Sequence, residues 1–237
     1  MKISESLWSA AVVLASAAFV VSPFLTPGFG GFEPTQFPVP QSNPPIQPQG
    51  YAFAIWGLIY LWLSASAVYG FLLRRHAPDW QAMRPQLALS LALGAGWLPI
   101  ATISPLAATL LIWLMLVSAL IAAWSAPVLD RWWARAPVAI YAGWLSAASA
   151  VSLGFVLGGW GVLDEVSAAS VALGVAVVLA FFAQLRLAGT PEYGAAVIWA
   201  LVAVVFANIS AGSGQVLVLA LVGGVVVAYG MLRAMTD

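Results

Sequence analysis

Residue types that carry acid–base or nucleophilic chemistry are almost missing from the apolar parts of this chain. There is no cysteine, the single histidine, His76, lies beside two arginines, and the only lysine is Lys2. Six of the eight acidic residues fall between apolar runs: Glu33, Asp79, Asp130, Asp164, Glu165 and Glu192.

Proton pumps, ion-coupled carriers and voltage sensors need ionisable groups inside the membrane. Metal and haem sites need thiolates, imidazoles or carboxylates in clusters. We therefore expect no required cofactor, and an enzyme is the weakest function class.

Aromatic rings supply the chemistry of the apolar runs instead. The chain has 12 tryptophans, and its formal net charge of zero argues against a nucleic-acid partner. Rings near the ends of apolar runs are typical of the interfacial belt: Trp8, Tyr51, Tyr69, Trp80, Trp124, Trp132, Trp133, Trp160 and Tyr193. Five tryptophans lie deeper: Trp56, Trp97, Trp113, Trp144 and Trp199. An indole N–H has no acceptor in lipid, so these deeper rings either pack against protein or face a ligand.

Helical spacing places several of these rings on shared faces. One face carries three rings at i, i+3 and i+7: Phe53, Trp56 and Tyr60. A second face carries two rings and then two small residues: Tyr141, Trp144, Ala148 and Ser152. Large rings followed by small residues on one helix face leave room for a flat molecule.

Two further features have structural interpretations. Gly154 and Gly158 form a G-x-x-x-G pattern, which lets helices approach closely and is weak evidence for a homodimer. Asn208 is the only asparagine inside an apolar run. A hydrogen bond between helices is the favoured interpretation of Asn208, and ligand contact is the alternative.

The elements that carry these residues are membrane-spanning helices. The chain is 63% hydrophobic and 7% charged, which is typical of a protein whose solvent is lipid. Apolar runs long enough to span a bilayer predict eight helices, at about 7–25, 51–73, 86–103, 106–126, 137–158, 166–185, 194–210 and 214–232. We predict an all-α integral membrane bundle that forms one membrane domain over residues 1–237.

The basic residues predict the orientation of this bundle. All eight fall at the chain ends or in alternate loops: Lys2, Arg74, Arg75, Arg84, Arg131, Arg135, Arg186 and Arg233. Short basic loops stay cytoplasmic during insertion, so we expect a multi-pass protein of a bacterial cytoplasmic (inner) membrane with both termini cytoplasmic. Cleavage of the first run as a signal peptide is an alternative, because Lys2 precedes an apolar stretch that contains small residues.

The longest connection, residues 26–50, is rich in proline and has two interpretations. Proline favours extended, semi-rigid backbone, so the segment could be a solvated linker. Three phenylalanines, Phe29, Phe32 and Phe37, are unusual in a linker. An ordered flap over the outer ends of the helices is at least as well supported.

Three segments resemble the tryptophan-rich sensory protein / translocator protein family, also called the peripheral benzodiazepine receptor family. Asn43-Pro44-Pro45 followed by residues 50–60 resembles the start of its second helix, with an aromatic residue and then Trp-x-x-x-Tyr. Trp97-Leu98-Pro99 resembles its third helix, and residues 136–148 resemble its fifth, with Pro-x-x-x-Tyr-x-Gly-Trp. The resemblance covers roughly residues 8–152.

This resemblance implies a five-helix bundle over residues 1–158, with a pocket under the first loop that binds tetrapyrroles or sterol-like lipids. Trp56 and Trp144 would be its pocket tryptophans. The chain departs from the family in three respects. Gly94 and Ser152 stand where members usually have asparagine, and residues 166–232 add three helices. The two asparagine losses put the usual ligand set in doubt.

We therefore predict a membrane ligand-binding or sensory protein with an aromatic pocket for a flat apolar molecule, such as a tetrapyrrole or lipid. The predicted ligand-binding residues are Phe53, Trp56, Tyr60, Trp97, Tyr141, Trp144 and Ala148. The predicted partners are the lipid bilayer and an apolar small molecule, with a homodimer or a membrane complex as further options. A facilitator of a neutral lipid-like solute and a structural subunit of a larger complex remain alternative functions.

Overall fold

Eight helices in the described part of the chain are long and apolar enough to cross a membrane. The computed structural model describes residues 2–26, 30–210 and 212–236. Its helices are α1 (Lys2–Leu25), α2 (Ile55–Leu72), the short α3 (Pro78–Gln81), α4 (Arg84–Ile103), α5 (Pro105–Ser125), α6 (Arg135–Gly159), α7 (Glu165–Arg186), α8 (Glu192–Ser210) and α9 (Gly214–Thr236). Short 3-10 turns cover Pro34–Gln36 and Gly50–Ala54. The predicted helical bundle and its eight spans are confirmed, and Phe29 lies outside the described residues.

Tight turns between spans are set by capping residues. The Ser104 hydroxyl accepts the Ala107 N–H at 3.3 Å, and Pro105 occupies the first turn of α5. The Asp164 carboxylate accepts two N–H groups at the start of α7, from Val166 and Ser167. The first N–H groups of a helix have no partner within the helix, so these side chains satisfy them and fix where α5 and α7 begin.

The helix α6 lies between two groups of helices. It packs against α2 and α5 on one side and against α7 and α8 on the other. In the first group α1 contacts α2 and α4, and α4 contacts α5; in the second, α9 contacts both α7 and α8. Small residues allow this close packing. A Cβ atom at Gly143 would overlap the backbone carbonyl of Tyr193, so α8 approaches α6 at van der Waals distance only because that residue is glycine.

Hydroxyl pairs join α6 to its neighbours. The phenol of Tyr141 lies 2.9 Å from the Ser90 hydroxyl on α4. The phenol of Tyr193 on α8 lies 2.8 Å from the Ser146 hydroxyl. Both tyrosines are completely buried. The assignment of Tyr193 to the interfacial belt is therefore wrong, because its phenol finds a partner on α6 and not in the headgroup region.

The basic end of the bundle is held together by Asp130. Its carboxylate accepts hydrogen bonds from Arg74 at 2.6 Å and from the Trp80 indole at 2.9 Å. The hydrogen bond from Arg74, supported by Trp80 and Tyr69, holds the pKa of Asp130 below its usual range. Trp80 is 1% exposed, so its assignment to the interfacial belt is wrong as well. A second ion pair at this end joins Arg131 to Glu192 at 2.6 Å.

The predicted orientation can be tested with cysteines introduced into this cysteine-free chain. Asp79 lies at the arginine-rich end and Ser42 in the long first loop, and both are exposed. In intact cells, an impermeant thiol reagent should label Ser42→Cys and leave Asp79→Cys unlabelled until the membrane is opened. Labelling of Asp79→Cys in intact cells would show that the arginine-rich end faces outward.

Candidate functional site

A cavity of about 100 Å³ lies between α6 and the first long loop. Its wall is mostly apolar and combines five loop residues with residues of five helical segments. The lining residues are Gly30, Gly31, Phe32, Gln47 and Pro48 from the loop; Phe53 from the turn before α2; Trp97 from α4; Ile112 from α5; Trp144, Ala147, Ala148, Val151, Ser152 and Phe155 from α6; and Ala200 from α8. No acidic or basic residue is among them.

The structure brings four of the seven predicted ligand-binding residues to this wall: Phe53, Trp97, Trp144 and Ala148. Trp56 and Tyr60 lie beside the site, stacked on each other with ring centroids 5.3 Å apart. Tyr141 points away, toward Ser90 on α4. The predicted face of α6 is therefore divided: its first ring packs against α4, and the residues after it face the cavity.

Trp144 is a lining residue whose buried hydrogen-bond donor is unsatisfied. Its side chain is 2% exposed, and its indole N–H has no acceptor within the part of the chain that the structure describes. Phe53 and Trp56 contact the indole edge-on, with centroids 5.9 Å and 6.1 Å away. By contrast, the Trp97 indole donates to the Ala108 carbonyl at 2.9 Å. An unsatisfied buried donor costs about 1–3 kcal/mol, and no described residue offsets this cost for the Trp144 N–H.

Residues 30–49, here called the 30–49 loop, are seated on the end of α6. The Phe37 ring is 4% exposed and stacks on Phe155 with centroids 5.8 Å apart. The Val39 N–H donates to the Gly159 carbonyl at 2.8 Å. Of the two earlier interpretations, the ordered flap is therefore the one that the described residues support, because a solvated linker would leave Phe37 exposed.

The glycines at the end of α6 make room for this loop. A Cβ atom at Gly154 would lie 3.1 Å from Ile46, one at Gly158 would lie 2.9 Å from Gln41, and one at Gly159 would overlap the ring of Phe37. On the sequence alone, the G-x-x-x-G pattern is weak evidence for a homodimer. The chain's own loop occupies the space beside these glycines, so the G-x-x-x-G pattern gives no support for a homodimer.

The helix α8 holds the other end of the loop. The Asn208 amide donates to the Pro45 carbonyl at 2.8 Å, and the Gln49 N–H donates to the Ala203 carbonyl at 3.2 Å. The Trp199 indole donates to the Ala52 carbonyl at 2.9 Å. The side-chain oxygen of Asn208 also accepts the Ser213 N–H at 2.9 Å. Asn208 is thus satisfied, as the favoured interpretation held, but its partners outside α8 lie in the loop and in the turn before α9 and not within another helix.

Several lining residues were missed by sequence reasoning. Val151 and Phe155 follow Trp144 at i+7 and i+11, so helical spacing from Trp144 would have found them. Ile112 and Ala200 carry no such signal, because an isoleucine or alanine in an apolar run is ordinary in helix packing.

Two residues stand where members of the resembling family usually have asparagine. Gly94 leaves room for the Phe19 ring, and the Ser152 hydroxyl bonds to Thr109.

These features define a polytopic helical membrane protein with an aromatic cavity beneath an ordered loop. The chain belongs to the TSPO-like protein family, whose model matches residues 9–233. The match runs from α1 into α9, so the three C-terminal helices lie within the family's own extent. No curated protein and no solved structure was found to match. Membership of this family indicates a membrane ligand-binding protein in general terms.

The seating of the loop predicts that Gly159 resists substitution. In Gly159→Ala the new methyl group would displace Phe37, and overpacking of this kind costs about 1–3 kcal/mol. Gly174→Ala on α7 is the matched control, because its Cβ would meet nothing within 4 Å. Thermal unfolding in detergent should show a lower Tm for Gly159→Ala only. Equal melting temperatures for the two variants would mean that the loop does not rest on α6.

Proposed function

We propose that this protein binds a flat, mostly apolar molecule, of the tetrapyrrole or sterol-like lipid kind, in the cavity between α6 and the 30–49 loop. The observation that carries the proposal is Trp144, which lines the cavity and whose buried indole N–H has no acceptor in the described part of the chain. A ligand with one oxygen or nitrogen acceptor would satisfy it. Packing alone gives no reason to leave this donor unsatisfied.

The character of the wall supports an uncharged or weakly polar ligand. Phe32, Phe53 and Phe155 offer ring surface, and Ala147 and Ala148 leave space beside Trp144. The Ser152 hydroxyl is already bonded to Thr109. Small-molecule sites generally combine an apolar wall with a few polar groups that fix orientation, and Trp144 would be such a group here.

The size of the cavity implies that the loop moves. Clefts that hold ligands of drug size occupy roughly 300–1,000 Å³, whereas this cavity measures about 100 Å³. An apolar cavity of about 150 Å³ holds a single benzene ring. A tetrapyrrole or sterol would therefore enter only if the 30–49 loop lifted from α6, and the seating contacts of that loop would set the rate of binding and release.

The role of Trp144 can be tested by binding measurements with protoporphyrin IX and cholesterol as probes. Trp144→Phe keeps most of the ring volume but removes the indole N–H. Affinity for the probe that binds should fall about tenfold, equivalent to about 1.4 kcal/mol. Equilibrium titration of the purified protein, followed by quenching of tryptophan fluorescence, gives both dissociation constants.

Two control variants separate ligand contact from packing. Trp132 is 60% exposed and stacks on Trp62 at the basic end, so Trp132→Phe should leave affinity unchanged. Trp56 touches Trp144 but does not line the cavity, so Trp56→Phe should have a smaller effect than Trp144→Phe. Equal, small effects at all three positions would assign the tryptophans to packing and end the proposal.

The gating role of the loop can be tested at Asn208. Asn208→Ala removes the hydrogen bond to the Pro45 carbonyl and the one from the Ser213 N–H, and loss of the bond to Pro45 weakens the closed position by about 0.5–1.5 kcal/mol. Stopped-flow fluorescence should then show protoporphyrin IX leaving roughly 2- to 10-fold faster. The neighbouring Ile209, which is 61% exposed, provides the control Ile209→Ala. Identical release rates for both variants would mean that α8 does not control the loop.

A further inference from the structure

A second cavity, much smaller and more polar than the first, lies where α1, α2, α3 and α4 meet near the basic end. Its volume is about 10 Å³. The residues around it are Ser9, Val12, Ser66, Ala67, Gly70, Trp80, Met83, Arg84 and Leu87. The ligand-binding proposal makes no use of this cavity, which shares no lining residue with the site beneath the loop.

Two serine hydroxyls on this wall have no hydrogen-bond partner among the described residues. Ser9 and Ser66 are 2% and 1% exposed, and both hydroxyl oxygens are fully buried. A serine hydroxyl inside a helix can bond to the carbonyl four residues earlier. Ser118 and Ser146 do this, at 2.9 Å each. The hydroxyls of Ser9 and Ser66 do not form this bond to the carbonyl four residues earlier.

The third polar group of this wall is the guanidinium of Arg84, which is 2% exposed. Three of its hydrogen bonds go to backbone carbonyls, those of Gly70, Arg74 and Arg75, at 2.8–3.0 Å. A guanidinium has five N–H donors, so capacity remains after these three bonds. No carboxylate lies within ion-pair distance of Arg84 among the described residues.

We propose that this cavity holds one structural water molecule that bridges the Ser9 and Ser66 hydroxyls beside Arg84. A cavity needs roughly 10–15 Å³ of this kind of volume to hold a water molecule, and buried waters typically make about three hydrogen bonds. The volume matches a single water, and the wall offers three polar groups. The water would join α1 to α2 and add to the solvation of a guanidinium whose three hydrogen bonds to backbone carbonyls are supplemented by the Trp80 ring 5.8 Å away.

A bound halide is the competing occupant and fits the wall less well. The three carbonyl oxygens around Arg84 direct negative charge toward the guanidinium, so its positive charge is already partly compensated. An anion larger than water would also need more than the observed volume. Water is therefore the occupant that fits the volume and charge of this cavity, and replacement of chloride by bromide in crystals distinguishes it from a halide.

The sign of a stability change distinguishes a bridged hydroxyl from an unsatisfied one. If the water is present, Ser9→Ala and Ser66→Ala each remove one of its partners, and Tm should fall by about 2–4 °C in each variant. If the hydroxyls are simply unsatisfied, each substitution removes a buried polar group that has no partner, and Tm should stay the same or rise. Thermal unfolding of the purified protein in detergent measures this difference, and a rise in both variants would overturn the proposal.

Ser16 provides a matched control on α1. Its hydroxyl is also buried and without a partner in the described residues, but Ser16 lines neither cavity. Ser16→Ala should therefore leave Tm unchanged or raise it, opposite in sign to Ser9→Ala. The double variant Ser9→Ala/Ser66→Ala should lose less than the two single losses added together, because both remove the same water. A Tm that falls equally at Ser16, or strict additivity, would contradict the bridge.

Direct observation completes the test. A crystal structure at a resolution that shows ordered solvent should contain one density peak within hydrogen-bond distance of both hydroxyls. Crystals grown with bromide in place of chloride should give no anomalous signal there. Such a signal would assign the site to a halide, and an empty cavity at that resolution would likewise overturn the proposal. Neither result would affect the proposed ligand cavity, whose residues are different.

Discussion

The rest of the structure depends on the packing of α6 against four other helices at once. Lipid offers no hydrogen bonds, so every polar group inside the membrane must find its partner within the protein. The small residues of α6 let its neighbours come close enough for short side chains to reach one another. Ser146 reaches Tyr193 on α8, and Tyr141 reaches Ser90 on α4. On the part of α6 that follows Trp144, the small residues Ala147 and Ala148 line the cavity beneath the 30–49 loop.

This arrangement gives the three C-terminal helices a role in the site. The helix α6 supplies more of the cavity wall than any other helix, and the 30–49 loop that covers the cavity is held at one end by α6 and at the other by α8. Phe37 rests on Gly159, and Asn208 and Trp199 hold the chain on either side of Gln49. The family match extends through these helices. Both helix groups that hold the loop over the cavity therefore lie within the region shared by the family. A five-helix bundle that ended at α6 would lack the second attachment.

Sequence reasoning succeeded for features that depend only on neighbouring residues along the chain. Run length and hydropathy gave the eight spans, since a helix needs a fixed number of residues to cross a bilayer. The family resemblance and four lining residues also followed from motifs and spacing. Sequence reasoning failed to predict which neighbours individual aromatic rings contact. Trp80 and Tyr193 lie near span ends, which predicts the interfacial belt, yet each is buried against a partner distant in sequence, Asp130 and Ser146. Tyr141 lies on the predicted face but reaches Ser90 instead of the cavity. These outcomes depend on which helix packs alongside, and neither periodicity nor composition contains that information.

Unsatisfied polar groups have opposite consequences in the two cavities because the surroundings differ. Trp144 lines an apolar cavity, where a single water would find too few partners, so we infer that an organic ligand with one acceptor suits that site better than solvent does. The hydroxyls of Ser9 and Ser66 lie beside a charged guanidinium in a space the size of one water, where an organic molecule has no room. A buried donor without a partner is therefore not in itself a ligand site. The volume and polarity around it decide whether it selects a ligand, as we infer for Trp144, or retains a water, as we infer for Ser9 and Ser66.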